Sequence, residues 1–497
     1  MAVASLQSLN DDVLGMIVGL LSQPDTANLV FTSRAVSSVA RRHILSSLVV
    51  SAPAQSLEFH RLMLEEDDGY RIQCLQRLTI IFQDSVDEPT DAGGYSPLAT
   101  VLARARNLRE LVMGSLEKHL TMQSGKVLSD AIASLSDLCE LELRDIGKQS
   151  VELCERLTCE PKVVCLAADP WTEPAPYLEV EYSRFAGLPV LRNASTITLQ
   201  HLSLTRNGTP ESQPAPVTPW SSTRTLRLEN MDPLALIELC PNLTTLRMGF
   251  MWFADNGSTL YPDDAHSKYI TSLARDVRVD TRVRVLDVFV GNEELALDKT
   301  IIATTRATLP VVLSIQFHYG DAALWAQLAE LFKHTDARLR YLDVLMHDES
   351  EYAQTWFDEC LPLLSSCPIL CVRLKFVQCL LEVMAEDEFA SIKDRPEPGE
   401  LIDSEWEELR DAAPKLLAET IPSLRYIAVS SGYMVGDLAW STFGGGWARW
   451  WNVAREALEN ETEGSTVELV EIDEGEGRKV DEYMRSAWFA KTLQFHD

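Results

Sequence analysis

Apolar residues recur along this chain in the phrase Leu-x-x-Leu-x-Leu, with isoleucine, valine or methionine standing in for some of the leucines. Clear instances are Leu138-x-x-Leu141-x-Leu143-x-x-Ile146, Leu243-x-x-Leu246-x-Met248 and Leu339-x-x-Leu342-x-Val344. Weaker ones centre on Leu78, Leu111, Ile197, Leu226, Leu286, Leu313, Val372 and Ile427, and a worn copy fits Val163 to Leu166. Alternating apolar positions bury one side of a short strand. Between them run segments with helical spacing, such as Ala322 to Phe332. Phrases such as Cys240-Pro241-Asn242-Leu243 and Ile421-Pro422-Ser423-Leu424 place proline where a helix must stop and a strand begin. One such unit cannot enclose its own apolar face, so neighbours must stack.

The first fifty residues follow a different period. Leu6, Leu9, Val13, Leu14, Ile17, Leu20 and Leu21 step by three and four, as one face of an amphipathic helix does. Asn10 can cap it, and Asp11 and Asp12 suit its first turn. Ser22-Gln23-Pro24-Asp25 ends it. A second helix carries Ala27, Leu29, Val30 and Phe31. A third, capped by Ser33, carries Val36, Val39 and Ala40, with Arg41-Arg42-His43 near its end. Three helices in about forty residues enclose little apolar surface alone, so part of their face should lie on a partner or on the next domain.

The run Leu6-x-x-Leu9-Asn10-Asp11-Asp12-Val13-Leu14-x-x-Ile17-x-x-x-Leu21, followed by Asp25 through Leu29 and Ser33-Arg34, resembles an F-box. The layout of helices and repeats is similar to fungal F-box proteins with degenerate leucine-rich repeats. The resemblance implies docking on the adaptor subunit of SCF-type ubiquitin ligases through Leu9, Val13, Leu14, Ile17, Leu21, Leu29 and Val36. The family usually has proline at the position of Asn10 and an aromatic residue at that of Val36. Leaving the resemblance aside, the three helices read equally as a cap for the repeats. The expected fold class is α/β: an N-terminal three-helix F-box-like module followed by an irregular leucine-rich-repeat solenoid with a parallel sheet. The usual Asn or Cys ladder is missing, since Ile146, Met251, His347 and Val377 occupy its positions; an ordinary parallel α/β domain is the competing reading. The expected boundaries are 1–50 for the helical module, 51–435 for the repeat body and 436–497 for an aromatic-rich C-terminal cap. Within the body, Thr205 to Pro219 reads as an exposed loop and Glu386 to Glu408 as an acidic insert or helix. Trp440, Phe443, Trp447, Trp450 and Trp451 surround Gly444 to Gly446. Val467 to Ile472 reads as a last strand and Arg478 to Phe495 as a closing helix.

Charge narrows the function. The 44 Lys and Arg against 74 Asp and Glu give a net charge of -30, and with no basic stripe in view no nucleic-acid partner is expected. No stretch reads as a signal peptide or membrane helix, so the expected site is cytoplasmic or nuclear, with no membrane partner. The ten cysteines then read as reduced core thiols. Gly444 to Gly446 lacks the following Lys-Ser/Thr of a phosphate loop. No Gly-x-Ser-x-Gly elbow or His-Glu-x-x-His occurs, and the cysteine spacings do not fit zinc. No catalytic residue, metal or cofactor is expected. The leading reading is a substrate receptor whose F-box holds the ligase while the repeats hold a target; the alternative is a repeat scaffold that recruits no ligase. The target should meet the outward, concave strand side, where apolar residues give way to their neighbours. The candidates are Arg77, Glu142, Arg144, Arg227, Arg247, Asp287, Tyr341, Asp343 and Arg373. With Glu110, Glu140, Glu229 and Lys375 they make six basic and six acidic positions, far more balanced than the chain. Arg227 and Arg247 form a candidate basic spot for a carboxylate or phosphorylated target.

Overall fold

The leucine phrases become strands wherever they were read. The computed structural model describes residues 9–32, 34–52, 55–66, 69–81, 95–169, 178–205, 218–250, 283–290, 298–317, 322–333, 338–347, 350–378, 404–435, 442–456 and 466–492. The chain divides into two units, Met1–Thr223 and Arg224–Asp497.

The first unit opens with three helices, α1 (Asp11–Gly19), α2 (Gln23–Thr32) and α3 (Arg34–Ser46). Asn10 caps α1: its side chain accepts from the Val13 amide at 2.9 Å, and Asp11 and Asp12 lie in the first turn. Ser22 starts α2 by accepting from the Asp25 amide and donating to the Asp25 carboxylate. Leu14, Val18, Val36 and Val39 meet as a small core, with Leu9 and Leu29 packed against it.

Parallel strands follow in chain order: β1 (Ser47–Val50), β2 (Arg77–Ile80), β3 (Glu110–Met113), β4 (Glu140–Ile146), β5 (Val163–Ala168) and β7 (Thr196–Gln200). A separate parallel pair is formed by β6 (Leu178–Glu181) and β8 (Leu202–Thr205). The register stacks like on like. Leu78, Leu111, Leu141, Val164 and Ile197 form one buried row, and Ile80, Met113, Leu143, Leu166 and Leu199 another. Each such side chain contributes about 1.5–3 kcal/mol on burial, which holds the register. Ser115, Asp145 and His201 each stand five residues after the first residue of β3, β4 and β7, and each has positive φ. The Ser115 amide donates to the Asp145 carboxylate at 2.8 Å, so these left-handed corners interlock between neighbours.

The second unit continues the pattern with β9 (Thr225–Glu229), β10 (Thr245–Phe250), β11 (Val285–Val290), β12 (Val312–Phe317), β13 (Tyr341–His347), β14 (Cys371–Gln378) and β15 (Tyr426–Val435), all parallel and in order. Leu226, Leu246, Leu286, Leu313, Leu342, Val372 and Ile427 make its inner row. Helices return the chain between strands, among them α4 (Ala322–Lys333), where the helical spacing was read, and α5 (Ser404–Thr420). Asn230 on β9's end repeats the left-handed corner at the same offset.

Then the direction changes. β16 (Thr442–Glu456) and β17 (Thr466–Ile472) add antiparallel strands beyond β15. The tryptophan-rich segment is therefore mostly a strand, with Trp450 and Trp451 buried; Trp440 lies outside the described residues. The closing helix is two helices, α6 (Glu474–Arg485) and α7 (Ala487–Thr492), with Ser486 between them. Residues 206–217 and 379–403, most of the two polar stretches, lie outside the described residues; Glu408 falls on α5. No described helix is long and apolar enough to cross a membrane. All nine described cysteines are free and seven are buried.

Candidate functional site

On the N-terminal module the core and the surface compete for the same apolar residues. Leu14 and Val36 are buried, which corrects the expectation that they line a partner contact. A bundle this small keeps the residues that face its helix–helix seam, Leu14, Val18, Val36 and Val39, for its own core. Val13, Ile17, Leu9 and Leu29 are half-buried, and Leu21 is 36% exposed. The open apolar surface is instead made by Met16 (65% exposed), Leu20 (88%) and Phe31 (87%). Helical spacing marks both faces of such a short amphipathic stretch, so it could not tell which residues the bundle would keep.

The outward side of the first unit carries Arg77, Glu142 and Arg144 as read. Arg77 pairs across β2 and β3 with Glu110, one contact being Nη2 to Oε1 at 2.8 Å. Arg144 pairs with Glu142, two residues back on β4, at 2.5 Å. Arg77, Glu140 and Arg144 are exposed, and Val112, Val163 and Cys165 between them are half-buried. Exposed pairs of this kind add at most about 1 kcal/mol each; their use lies in charge pattern more than in stability.

In the second unit the outward row runs Arg227, Arg247, Asp287, Ser314, Asp343, Arg373 and Ala428 from β9 to β15. Arg227 and Arg247 are direct neighbours in register, as the candidate basic spot requires. Arg247 is not spare charge, because its Nε donates to Asp287 at 2.9 Å.

Further along, the row is covered. α6 lies over β11 to β15, and Met484 and Phe489 bury themselves among Val285, Val312, Tyr341, Cys371, Ala428 and Trp450. Tyr341 Oη donates to Asp481 at 2.6 Å, and Arg373 Nη1 reaches the same carboxylate at 3.3 Å. Arg485 donates to Asp481 at 3.0 Å and also to Asp343, which accepts from Lys375 Nζ at 2.8 Å. Arg284 holds the end of α6 by donating to the carbonyls of Arg485 and Met484 at 2.6 and 3.0 Å. Tyr341, Asp343 and Arg373 therefore face the chain's own helix instead of solvent, contrary to their reading as open target contacts.

Two carboxylates, Asp343 and Asp481, meet three cations, Arg373, Lys375 and Arg485. Burial pushes the Asp343 carboxyl up, but Lys375, Arg485 and Arg373 together outweigh it and hold it below the usual carboxylate range. Burial also pulls the Lys375 ammonium down, helped by Arg373 and Arg485, and Asp343 only partly restores it. The two directions say that the shared charge favours the carboxylate over the ammonium, as an excess of cations must. Burial lifts the Tyr341 phenol well above its ordinary range, and the adjacent Asp343 adds to this. The cluster is thus an ionic clamp between sheet and helix, with one cation more than it has carboxylates.

No known protein-family model matches the chain, and no curated protein matches it. The residues missed in the sequence were Asp481, Met484, Arg485 and Phe489. A signal for them existed: the outward positions preceding the charged row are polar on β2 to β4 (Arg77, Glu110, Glu140) but turn to Val285, Val312, Tyr341 and Cys371 on β11 to β14. Apolar residues on both sides of a strand call for cover on both sides.

Proposed function

We propose that this chain is a non-catalytic substrate receptor of the F-box type, with leucine-rich repeats as its body. The helical module docks the adaptor subunit of an SCF-type ubiquitin ligase, and the open strand face docks a target protein. Ubiquitin transfer belongs to other subunits, and the setting is the cytoplasm or nucleus. The observation that carries this reading is the exposure of three large apolar side chains, Met16 on α1, Leu20 one turn on at its C-cap and Phe31 on α2, on a three-helix module that already has its own core. Such exposure on a module that needs none for folding marks a docking surface. Val13, Ile17, Leu21 and Leu29 extend it. The candidate target positions, each unit taken by itself, are narrower than the full row: Arg77, Glu142 and Arg144 on the first unit; Arg227, Arg247 and Asp287 on the second.

Burial of Leu14 and Val36 favours a second reading, a repeat scaffold that recruits no ligase, because two residues of the F-box contact are then spent inside the module. Co-migration of the full chain with purified adaptor on a sizing column separates the two. The receptor reading expects a complex with the natural chain and none with Val13→Asp/Ile17→Asp. Free adaptor in both runs leaves the scaffold.

A further inference from the structure

We propose that the outward face of β11 to β16 is a docking groove for an amphipathic helix, and that α6 is its resident occupant, exchangeable for a partner helix of the same pattern. The proposal rests on reading the strand face as a binding surface, and adds what that face takes and how access is regulated.

Three features define the helix that this face accepts. The helix lays one face on the sheet, Gly477, Val480, Asp481, Tyr483, Met484 and Arg485, while Glu474, Glu476, Arg478, Lys479 and Glu482 are exposed. An amphipathic helix laid in a groove is read by such a face at three- and four-residue spacing. The polar contacts are also directional. The sheet offers a phenol donor (Tyr341), a guanidinium (Arg373) and a carboxylate (Asp343), and the helix returns Asp481 and, four residues on, Arg485. A buried charge pair set at fixed spacing selects register and partner more than it adds stability. Lastly, the fit requires glycine. A Cβ on Gly477 would lie 2.1 Å from Cγ of Trp450, so the helix backbone must approach the indole directly. A partner helix suited to this groove carries a small residue, then Asp four residues later, Met three after that, and Arg next to it.

The test uses the full chain and a fluorescent peptide of residues 474–492. Gly477→Leu and, separately, Asp481→Arg are changes on the helix that leave the groove's own residues intact. Both variants should capture the peptide at least tenfold more tightly than the natural chain, whose groove is filled. Adding Asp343→Lys to either should abolish capture. In the natural chain, amides of α6 and α7 should exchange hydrogen at least tenfold faster than those of β12 to β14. The proposal is overturned if both variants stay folded and fail to bind the peptide. It is equally overturned if both lose the cooperative unfolding of the second unit, because α6 is then part of the core. Neither adaptor nor target enters the experiment, so its failure is distinct from failure of the receptor reading.

Discussion

Removing the Asp343 carboxylate is the sharpest perturbation of the second unit. In the native fold it is 2% exposed and accepts from Lys375 and Arg485, with Arg373 also near enough to favour its charge. Asp343→Ala leaves Lys375, Arg373 and Arg485 against one another's charge, with Asp481 and, near Arg485, Asp287 to balance them. Breaking a buried pair in this way costs about 3–5 kcal/mol, because an uncompensated charge stays behind. Urea unfolding followed by tryptophan fluorescence reads the loss, since Trp450 packs in the layer that α6 covers and Trp451 is buried in the same sheet. Pairing Asp343→Leu with Lys375→Met should cost at least ~1.5 kcal/mol less than the two single changes added, as contacting residues couple. The pH dependence has a definite sign. The folded carboxyl titrates below its unfolded value of about 3.9, so its contribution is complete above that pH and is lost as pH falls through the lower folded value. A loss below about 1 kcal/mol for Asp343→Ala, smaller than any broken buried pair, would refute the clamp.

Other changes separate fold from docking. Leu14→Ala should destabilise the N-terminal module by about 2–5 kcal/mol, whereas Leu20→Asp or Phe31→Asp should change stability by no more than about 0.5 kcal/mol and abolish adaptor binding; thermal unfolding beside a binding titration checks both. Asn10→Ala removes the cap on α1 and should cost about 1 kcal/mol in the same unfolding assay. Burial pushes the Cys154 thiol up to about 12 and that of Cys159 to about 11. Mass spectrometry after brief alkylation at about pH 8 should therefore find Cys139, which is exposed, modified well before either.

The period of the apolar residues was enough to place the strands because register in a parallel stack is set by which side chains are inside. Leu78, Leu246 and Leu342 each needed only their neighbours at two-residue spacing to declare a strand and its buried side. The worn unit at Val163 to Leu166 was recoverable from spacing alone. What covers the other side of a strand is a long-range matter. Met484 reaches Tyr341 from about 140 positions away, and no local pattern records that meeting. The antiparallel turn-back at β16 was obscured for a related reason. Glycines and tryptophans carry weak strand signals one by one, and it is the pairing with β15 that makes Trp450 and Trp451 part of a sheet. On the N-terminal module, spacing identified the amphipathic helix and the Asn10 cap, yet it could not divide the apolar residues between core and surface. That division depends on the angle at which α3 lays Val36 against Leu14.

On the proposed function, the N-terminal module recruits an adaptor through its exposed apolar side while the strand face remains free for a target. Hydrogen exchange of the full chain with and without saturating adaptor tests it most directly. Adaptor docking should slow exchange across α1 and α2, residues 11–32, and leave exchange on β2 to β5 unchanged. Unchanged exchange throughout the module, or protection appearing on the strand face instead, would contradict it.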